Sequence, residues 1–222
     1  MPKDKLAMLA IPMIPLNIAL PWVISKYTAG TQPMNIYLRA IPPRLLMGLA
    51  FMGVVMVTPS FAQEDGSFPL HYYALIVAIF IVHQVFLNAM FVSIMAFFAK
   101  ISDPAVGGTY MTLLNTLTNL GGNWPSTLAL WWVEVLTVKK CLTADGIENQ
   151  SNACESADKV SQCTGELKGK CVTEVEGYYI ESVVCVVVGL LWLGLWGWRT
   201  MNRLQNAAES EWKVVNKRSA TD

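Results

Sequence analysis

Amide side chains recur at helical spacing in one long, uncharged stretch of this chain, residues 104–133. Asn115, Asn119 and Asn123 are four residues apart, so a helix would place them on one face. The stretch is long enough to cross a bilayer, and polar groups in hydrocarbon need hydrogen-bond partners. The spacing therefore predicts a face that lines a water-filled substrate pathway. The alternative is a face that only hydrogen-bonds to neighbouring helices.

A second polar group lies within an apolar run near the middle of the chain. Gln84 and Asn88 are four residues apart, and His83 precedes Gln84. Polar residues within membrane spans are costly and often functional, so Gln84 and Asn88 join the predicted pathway. Histidine titrates near neutral pH, which makes His83 a candidate site for a coupling proton; Glu181 is a second candidate. The alternatives are a hydrogen-bonded structural histidine and a glutamate that anchors a span at the membrane surface.

The composition is that of a membrane protein. Hydrophobic residues make up 54% of the chain and charged residues 14%, with a mean hydropathy of +0.41. Soluble domains carry roughly a quarter charged residues. The formal net charge is zero, so the composition gives no indication of a nucleic-acid partner.

Five apolar runs approach or exceed the roughly 20 residues that a transmembrane helix needs. They lie at 6–25, 45–62, 72–99, 104–133 and 178–198. None shows the alternation of a half-buried strand, so all are predicted to be helices. Gly121, Gly122 and Pro125 predict a bend in the fourth. The predicted fold class is an all-α polytopic membrane helix bundle.

These runs divide the chain into four parts. We predict four transmembrane helices with short loops in 1–137, a cysteine-rich loop in 138–177, a last transmembrane helix in 178–198 and a tail in 199–222. Lysine and arginine concentrate in the tail and in the loops that would share its side of the membrane. The positive-inside rule therefore predicts a cytosolic C-terminus and a 138–177 loop in the lumen or outside.

Four of the five cysteines lie in that loop: Cys141, Cys154, Cys163 and Cys171. Clustered cysteines in an oxidising compartment predict two disulfides, for which three pairings are open. A zinc site is the weaker alternative, because the loop has no C-x-x-C pair and no histidine. Asn149 begins an N-glycosylation sequon in the same loop, so it is a candidate glycan acceptor.

Three segments carry a resemblance to a known family: 24–35 (ISKYTAGTQPMN), 93–131 (SIMAFFAKISDPAVGG through LALW) and 177–189 (GYYIESVVCVVVG). The chain resembles the acetyl-coenzyme A transporters of the endoplasmic reticulum membrane, which belong to the major facilitator superfamily. The resemblance implies carriage of acetyl-CoA from the cytosol into the lumen, where it supplies acetylation, with solute:proton symport as an expected mode. Major facilitators have two halves of six helices, so this chain is expected to be a C-terminal fragment that lacks the N-terminal half.

The resemblance also implies a polyanionic ligand. The phosphates of acetyl-CoA favour arginine, and Arg44 just precedes the second predicted span on the cytosolic side. Arg44 is therefore the candidate phosphate contact at the entrance of the pathway. The expected partners are acetyl-CoA, the lipid bilayer and the missing half. A homodimer is left open, and no cofactor or resident metal is expected.

Three other functions are weighed against this one. A membrane-bound acyltransferase would need a catalytic base, and neither His71 nor His83 lies in a recognisable catalytic motif. We therefore predict that the protein is not an enzyme. A related carrier of another anionic or amino-sugar solute would share the fold, which alone does not fix the substrate. A non-transporting scaffold would not need the polar stripe.

Overall fold

The computed structural model describes residues 13–28, 30, 32–63, 68–142, 148–149, 154, 156–166 and 168–213. The helices within these residues are α1 (Met13–Thr28), α2 (Met34–Phe61), α3 (Leu70–Ile101), α4 (Gly107–Leu136), α5 (Ala157–Ser161), α6 (Gly177–Trp192), α7 (Trp198–Gln205) and α8 (Glu209–Trp212). π-helical turns follow α5 at Gln162–Glu166 and join α6 to α7 at Leu193–Gly197. Three short strands complete the set: β1 (Val138–Leu142), β2 (Glu148–Asn149) and β3 (Lys170–Val175).

The chain is an all-α membrane helix bundle that carries one small sheet. Three helices of the described residues are long and apolar enough to cross a membrane: Met34–Phe61, Leu70–Ile101 and Gly177–Gln205. They correspond to the second, third and fifth predicted spans. At about 1.5 Å per residue the 32-residue α3 is about 48 Å long, so it extends beyond the hydrocarbon of a typical bilayer.

The first and fourth predicted spans are not among the three helices that are long and apolar enough to cross a membrane. The first is described only as α1, a helix of 16 residues, because its first seven positions, 6–12, lie outside the described residues. The fourth is α4, which is continuous over 30 residues but is not apolar enough to count among the three. Its asparagines, threonines and glycines lower its hydropathy. The helix assignment over Gly121, Gly122 and Pro125 is unbroken.

The second predicted span, 45–62, is part of a longer helix, because α2 already begins at Met34 and contains Arg39 and Arg44. Pro42 and Pro43 suggest a break, since each lacks an amide hydrogen and frees a carbonyl one turn earlier. Packing maintains the helix through them: Leu38 and Ile41 are 1% and 7% exposed. Pairing of α2 with its neighbours therefore outweighs the local cost of the two prolines.

Contacts divide the chain into two compact units, Met1–Thr118 with Val186–Asp222, and Asn119–Cys185. The first unit has an apolar core where α2, α3 and the α6–α7 segment pack together. One cluster joins the buried residues Leu38, Ala40, Ile41, Met90 and Leu193. A second cluster near the start of α2 and the end of α3 joins Met34, Phe97, Phe98 and Ile101.

A polar junction built around Gln205 connects helix ends of the first unit. The Gln205 side chain is 2% exposed, accepts a hydrogen bond from the Met34 amide at 2.8 Å and donates one to Asn35 Oδ1 at 3.1 Å. Lys100 Nζ donates to the Gln205 carbonyl oxygen at 3.2 Å. The junction satisfies an otherwise unpaired amide at the start of α2 and places a cation at the C-terminus of α7.

The second unit contains an antiparallel sheet in the order β2-β1-β3. β1 follows α4 after one residue, and β3 ends one residue before α6. Cys141 on β1 lies opposite Cys171 on β3 and Asn149 on β2. The Lys140 ammonium and the Glu174 carboxylate form an ion pair at 2.9 Å across β1 and β3.

Two disulfides hold this sheet, as the cysteine clustering predicted. Cys141 bonds to Cys163, and Cys154 bonds to Cys171. The sulfur atoms of Cys141, Cys154 and Cys163 lie within 4.8 Å of one another, a grouping that reduced thiolates could offer to a metal. In this oxidised form all four sulfurs are engaged in S–S bonds, so none is a thiolate ligand.

Candidate substrate pathway

One face of α2 carries three large side chains at seven-residue spacing, Tyr37, Arg44 and Phe51. α3 carries His83 and Met90 at the same spacing. Seven residues are close to two helical turns, so each set lies along one side of its helix. The sequence therefore places large side chains along one face of α2 and along one face of α3.

Contacts between α2 and α3 bring these two faces together. The Arg44 Nη1 atom lies 3.6 Å from the Met90 sulfur, and the Phe51 ring centroid lies 5.4 Å from that of His83. Arg44 and Phe51 therefore face Met90 and His83 in antiparallel order. Tyr72 Oη and Thr58 Oγ1 lie 2.6 Å apart farther along the same pair of helices.

Arg44 is half-buried in the third turn of α2, about 15 Å from the helix start at 1.5 Å per residue. This corrects the expectation that Arg44 precedes the helix. None of the described carboxylates pairs with it. A guanidinium without a carboxylate partner can bind an anion such as a phosphate.

Two neighbouring side chains of α3 each have a polar atom without a hydrogen-bond partner among the described residues. His83 Nδ1 and Gln84 Oε1 are buried and unsatisfied among the described residues. A buried polar atom without a partner typically costs about 1–3 kcal/mol. These atoms are therefore available to a ligand, a water molecule or a further helix. Asn88 is half-buried and donates from Nδ2 to the Gln84 carbonyl oxygen at 2.9 Å.

The predicted asparagine stripe on α4 has no packing partner among the described residues. Asn115, Asn119 and Asn123 are exposed, and α4 has no buried residue. Hydroxyl groups on α4 bond to their own helix, as Thr116 Oγ1 does to the Thr112 carbonyl oxygen at 2.9 Å. Asn115 belongs to the first unit, whereas Asn119 and Asn123 belong to the second. The stripe remains a predicted pathway face.

The two predicted proton sites lie in different surroundings. His83 contacts the aromatic ring of Phe51, as described above. Glu181 is 7% exposed on α6 and lines a small cavity of the second unit. Both residues stay predicted proton sites.

Sequence reasoning missed Tyr37, Phe51 and Met90 as neighbours of the polar group. The available signal was the seven-residue spacing that they share with Arg44 and His83. It also missed Gln205, which sits in the tail beyond the last predicted span. For the predicted glycan, Asn149 lies in β2, while the remaining sequon positions 150 and 151 are outside the described residues.

Comparison with known proteins gives a family match over residues 43–214, to the model described as acetyl-coenzyme A transporter 1. Arg44, His83, Gln84, Asn88 and the cysteine-rich loop all lie inside the matched region. No solved structure matches the chain.

Yeast proteins are among its relatives. The chain is 29% identical over 218 residues to "Uncharacterized protein C21B10.09" of Schizosaccharomyces pombe, an alignment that covers 98% of this chain and 40% of that protein. It is 33% identical over 152 residues to "Uncharacterized membrane protein YBR220C" of Saccharomyces cerevisiae, covering 68% of this chain and 27% of that protein. A third match, "Uncharacterized protein YBR219C" of the same yeast, is 34% identical over 106 residues, 48% of this chain and 81% of that protein.

The chain thus spans less than half the length of the first two relatives. The family model, in contrast, covers most of this chain, including α3, α6, most of α2 and the disulfide-bonded loop. The chain belongs to the acetyl-coenzyme A transporter 1 family of membrane transporters.

Proposed function

We propose that this chain is part of a transporter that moves acetyl-CoA from the cytosol into the lumen of the endoplasmic reticulum. There the cargo would supply acetylation of lumenal substrates. The observation that carries the proposal is the family match over 43–214. The matched region includes Arg44, which lies inside an apolar helix and has no carboxylate partner among the described residues. A charge in such a helix is costly and is retained where it has a ligand or partner.

The chemistry of acetyl-CoA fits the group between α2 and α3. Its phosphates are anions that the Arg44 guanidinium can bind through two parallel hydrogen bonds. Its pantetheine arm carries amides, which the unsatisfied Gln84 Oε1 and His83 Nδ1 can meet. Tyr37 and Phe51 flank Arg44 along α2 and offer aromatic surface for the adenine. We assign Arg44, Gln84 and Asn88 to the substrate pathway, with Asn115, Asn119 and Asn123 as its α4 face.

The proposed fold is one part of a major facilitator. In that superfamily substrates bind between two halves, so this chain alone would form an incomplete pathway. The greater length of the first two relatives supports this view. The 222-residue chain in liposomes is therefore expected to transport nothing by itself.

The proposed topology has a cytosolic C-terminus and a lumenal 138–177 loop. Two disulfides in that loop support a lumenal placement, because such bonds persist in oxidising compartments. A glycan on Asn149 would be on the same side. The proposed coupling is proton symport, with His83 or Glu181 as the proton site.

The test is uptake of radiolabelled acetyl-CoA into liposomes that contain the full-length protein of which this chain is a part. CoA, a sugar nucleotide and an amino sugar serve as competitors. Saturable uptake that unlabelled acetyl-CoA and CoA inhibit supports the proposal. Saturable uptake of the sugar nucleotide or amino sugar without acetyl-CoA uptake would assign a different cargo.

A further inference from the structure

A small cavity lies between the end of α4 and the beginning of α6 in the second unit. Its volume is about 220 Å³, and its lining residues are Trp132, Val135, Leu136, Ile180, Glu181 and Val184. Trp132 is four residues before the end of α4 and Glu181 is four residues after the start of α6. At 1.5 Å per residue the cavity is about 6 Å from these helix ends.

A close contact fixes the two helix ends beside the cavity. The Gly177 amide donates to Thr137 Oγ1 at 3.2 Å. A Cβ at Gly177 would collide with the Val133 carbonyl oxygen, so only glycine permits this approach. The cavity is therefore framed by backbone contact and does not depend on flexible side chains alone.

Glu181 is the one charged group that lines the cavity. The residue is 7% exposed, and its carboxylate has no hydrogen bond or ion pair among the described residues. The other five lining side chains are apolar or aromatic. A carboxylate among apolar side chains is costly unless a cation or a hydrogen-bond donor accompanies it. The cavity therefore lacks a partner for Glu181 and has room for one.

The donor set limits what that partner can be. Calcium and magnesium require about six or more oxygen ligands, whereas this cavity offers a single carboxylate among apolar side chains. An organic ammonium group fits better, because it needs one anion and tolerates apolar walls. The Trp132 indole adds a face that attracts cations, including quaternary ammonium groups.

The location favours a lipid as the source of that ammonium. α6 belongs to the segment Gly177–Gln205, which is long and apolar enough to cross a membrane, and the cavity is near its end. The rim residues Val135, Ile180 and Val184 are 61%, 42% and 40% exposed and can contact acyl chains. The cavity lies about 6 Å from the helix ends that adjoin β1 and β3, so it is near one end of the span and not at its middle. An amphiphile with a cationic head and an apolar body would match both the Glu181 carboxylate and the apolar rim of the cavity.

We propose that this cavity binds the ammonium headgroup of a phospholipid, such as phosphatidylethanolamine or phosphatidylcholine. Glu181 accepts the charge-assisted contact, and Trp132 covers the ammonium from the side. The lipid contact would occupy Glu181, so it leaves His83 as the candidate proton site. Trp132 and the other lining residues are not among the residues proposed to contact acetyl-CoA, so the lipid proposal stands whether or not acetyl-CoA is the cargo.

The test is native mass spectrometry of the detergent-purified chain with added phosphatidylethanolamine, phosphatidylcholine or phosphatidylglycerol, which has no ammonium. The chain should retain the first two about tenfold more than the third, as expected for a charge-assisted contact. Glu181→Gln should remove this preference. Glu134→Gln, at an exposed carboxylate of the same α4 that does not line the cavity, should keep it.

A second variant keeps the test informative if Glu181→Gln reduces folding. Trp132→Leu retains the carboxylate and should weaken retention of phosphatidylcholine more than of phosphatidylethanolamine. Intact mass without reductant reports whether both disulfides have formed in each variant. Equal retention of all three lipids by the unaltered chain, or an unchanged preference in folded Glu181→Gln, would overturn the proposal. If free choline binds as well as phosphatidylcholine, the acyl chains do not contribute to binding. That result would overturn the proposal that a lipid is the source of the ammonium group.

Discussion

The two units of this chain are stabilised by different means. The first relies on apolar packing among long helices, with Leu38 and Ile41 buried against Met90 and Leu193. The second contains a small sheet whose most buried residues are the half-cystines Cys141, Cys154 and Cys163. A sheet of three short strands has little apolar surface to bury, so covalent links replace a packed core. The difference predicts that reductant and core mutations act on separate parts of the molecule.

Removal of the Cys141–Cys163 disulfide is expected to have the largest effect, and only on the sheet. The double change Cys141→Ser with Cys163→Ser opens a link between residues 22 apart in sequence. Loss of a native disulfide in a small unit typically costs about 2–5 kcal/mol. Limited proteolysis should then cleave within 138–175 while α2 and α3 stay protected. Cys185→Ser, at the free cysteine, is the matched control and should behave like the unaltered chain.

Leu38→Ala is the corresponding change in the helical core. Leu38 is 1% exposed, and truncation of a buried leucine costs about 2–5 kcal/mol. Thermal unfolding in detergent should show a lower Tm, with both disulfides still formed. Leu46→Ala, on the same helix at 53% exposure, should change the Tm little. Equal decreases in Tm for Leu38→Ala and Leu46→Ala would contradict the assignment of Leu38 to the core.

Gln205→Leu tests the polar junction at the helix ends. The change removes the bonds to the Met34 amide and to Asn35 while keeping most of the volume. An unpaired buried amide costs about 1–3 kcal/mol, so the Tm should fall less than for Leu38→Ala. Arg203→Leu, at an exposed residue of the same helix, is the control. A Tm equal to that of the unaltered chain would mean that the junction does not stabilise the first unit.

Asn119→Leu is expected to have the smallest effect on stability. Asn119 is exposed, and surface substitutions usually change stability by about 0.5 kcal/mol or less. In the full-length transporter, however, a pathway residue should alter the KM or turnover for acetyl-CoA. Reduced expression with an unchanged KM in the surviving protein would instead support a role in helix packing.

The contrast between packed helices and a disulfide-linked sheet also explains which features could be predicted from the sequence. The apolar runs of α3 and α6 directly indicate spans, and clustered cysteines indicate disulfides. The cysteine pairing was not predictable, because it depends on the register that sets Cys141 opposite Cys171. The start of α2 was missed, because Pro42 and Pro43 indicate a break locally and only tertiary packing overrides it.

The candidate site was predicted in part for a similar reason. Arg44, His83 and Gln84 were identified by polarity within or beside apolar runs. Their neighbours Tyr37, Phe51 and Met90 are ordinary core residue types, and only the pairing of α2 with α3 makes them part of the site. Polarity thus identifies candidate residues, whereas helix pairing decides their surroundings.

The most direct test of the central claim is acetyl-CoA uptake by the full-length protein with Arg44→Ala, beside Arg39→Ala as the matched control. Arg39 is on the same helix but exposed. With equal expression and insertion, Arg44→Ala should weaken acetyl-CoA binding by about 1–3 kcal/mol, or roughly five- to 150-fold in KM, while Arg39→Ala changes it little. Well-expressed, inserted Arg44→Ala protein with unchanged acetyl-CoA kinetics would contradict the assignment of Arg44 to the substrate pathway.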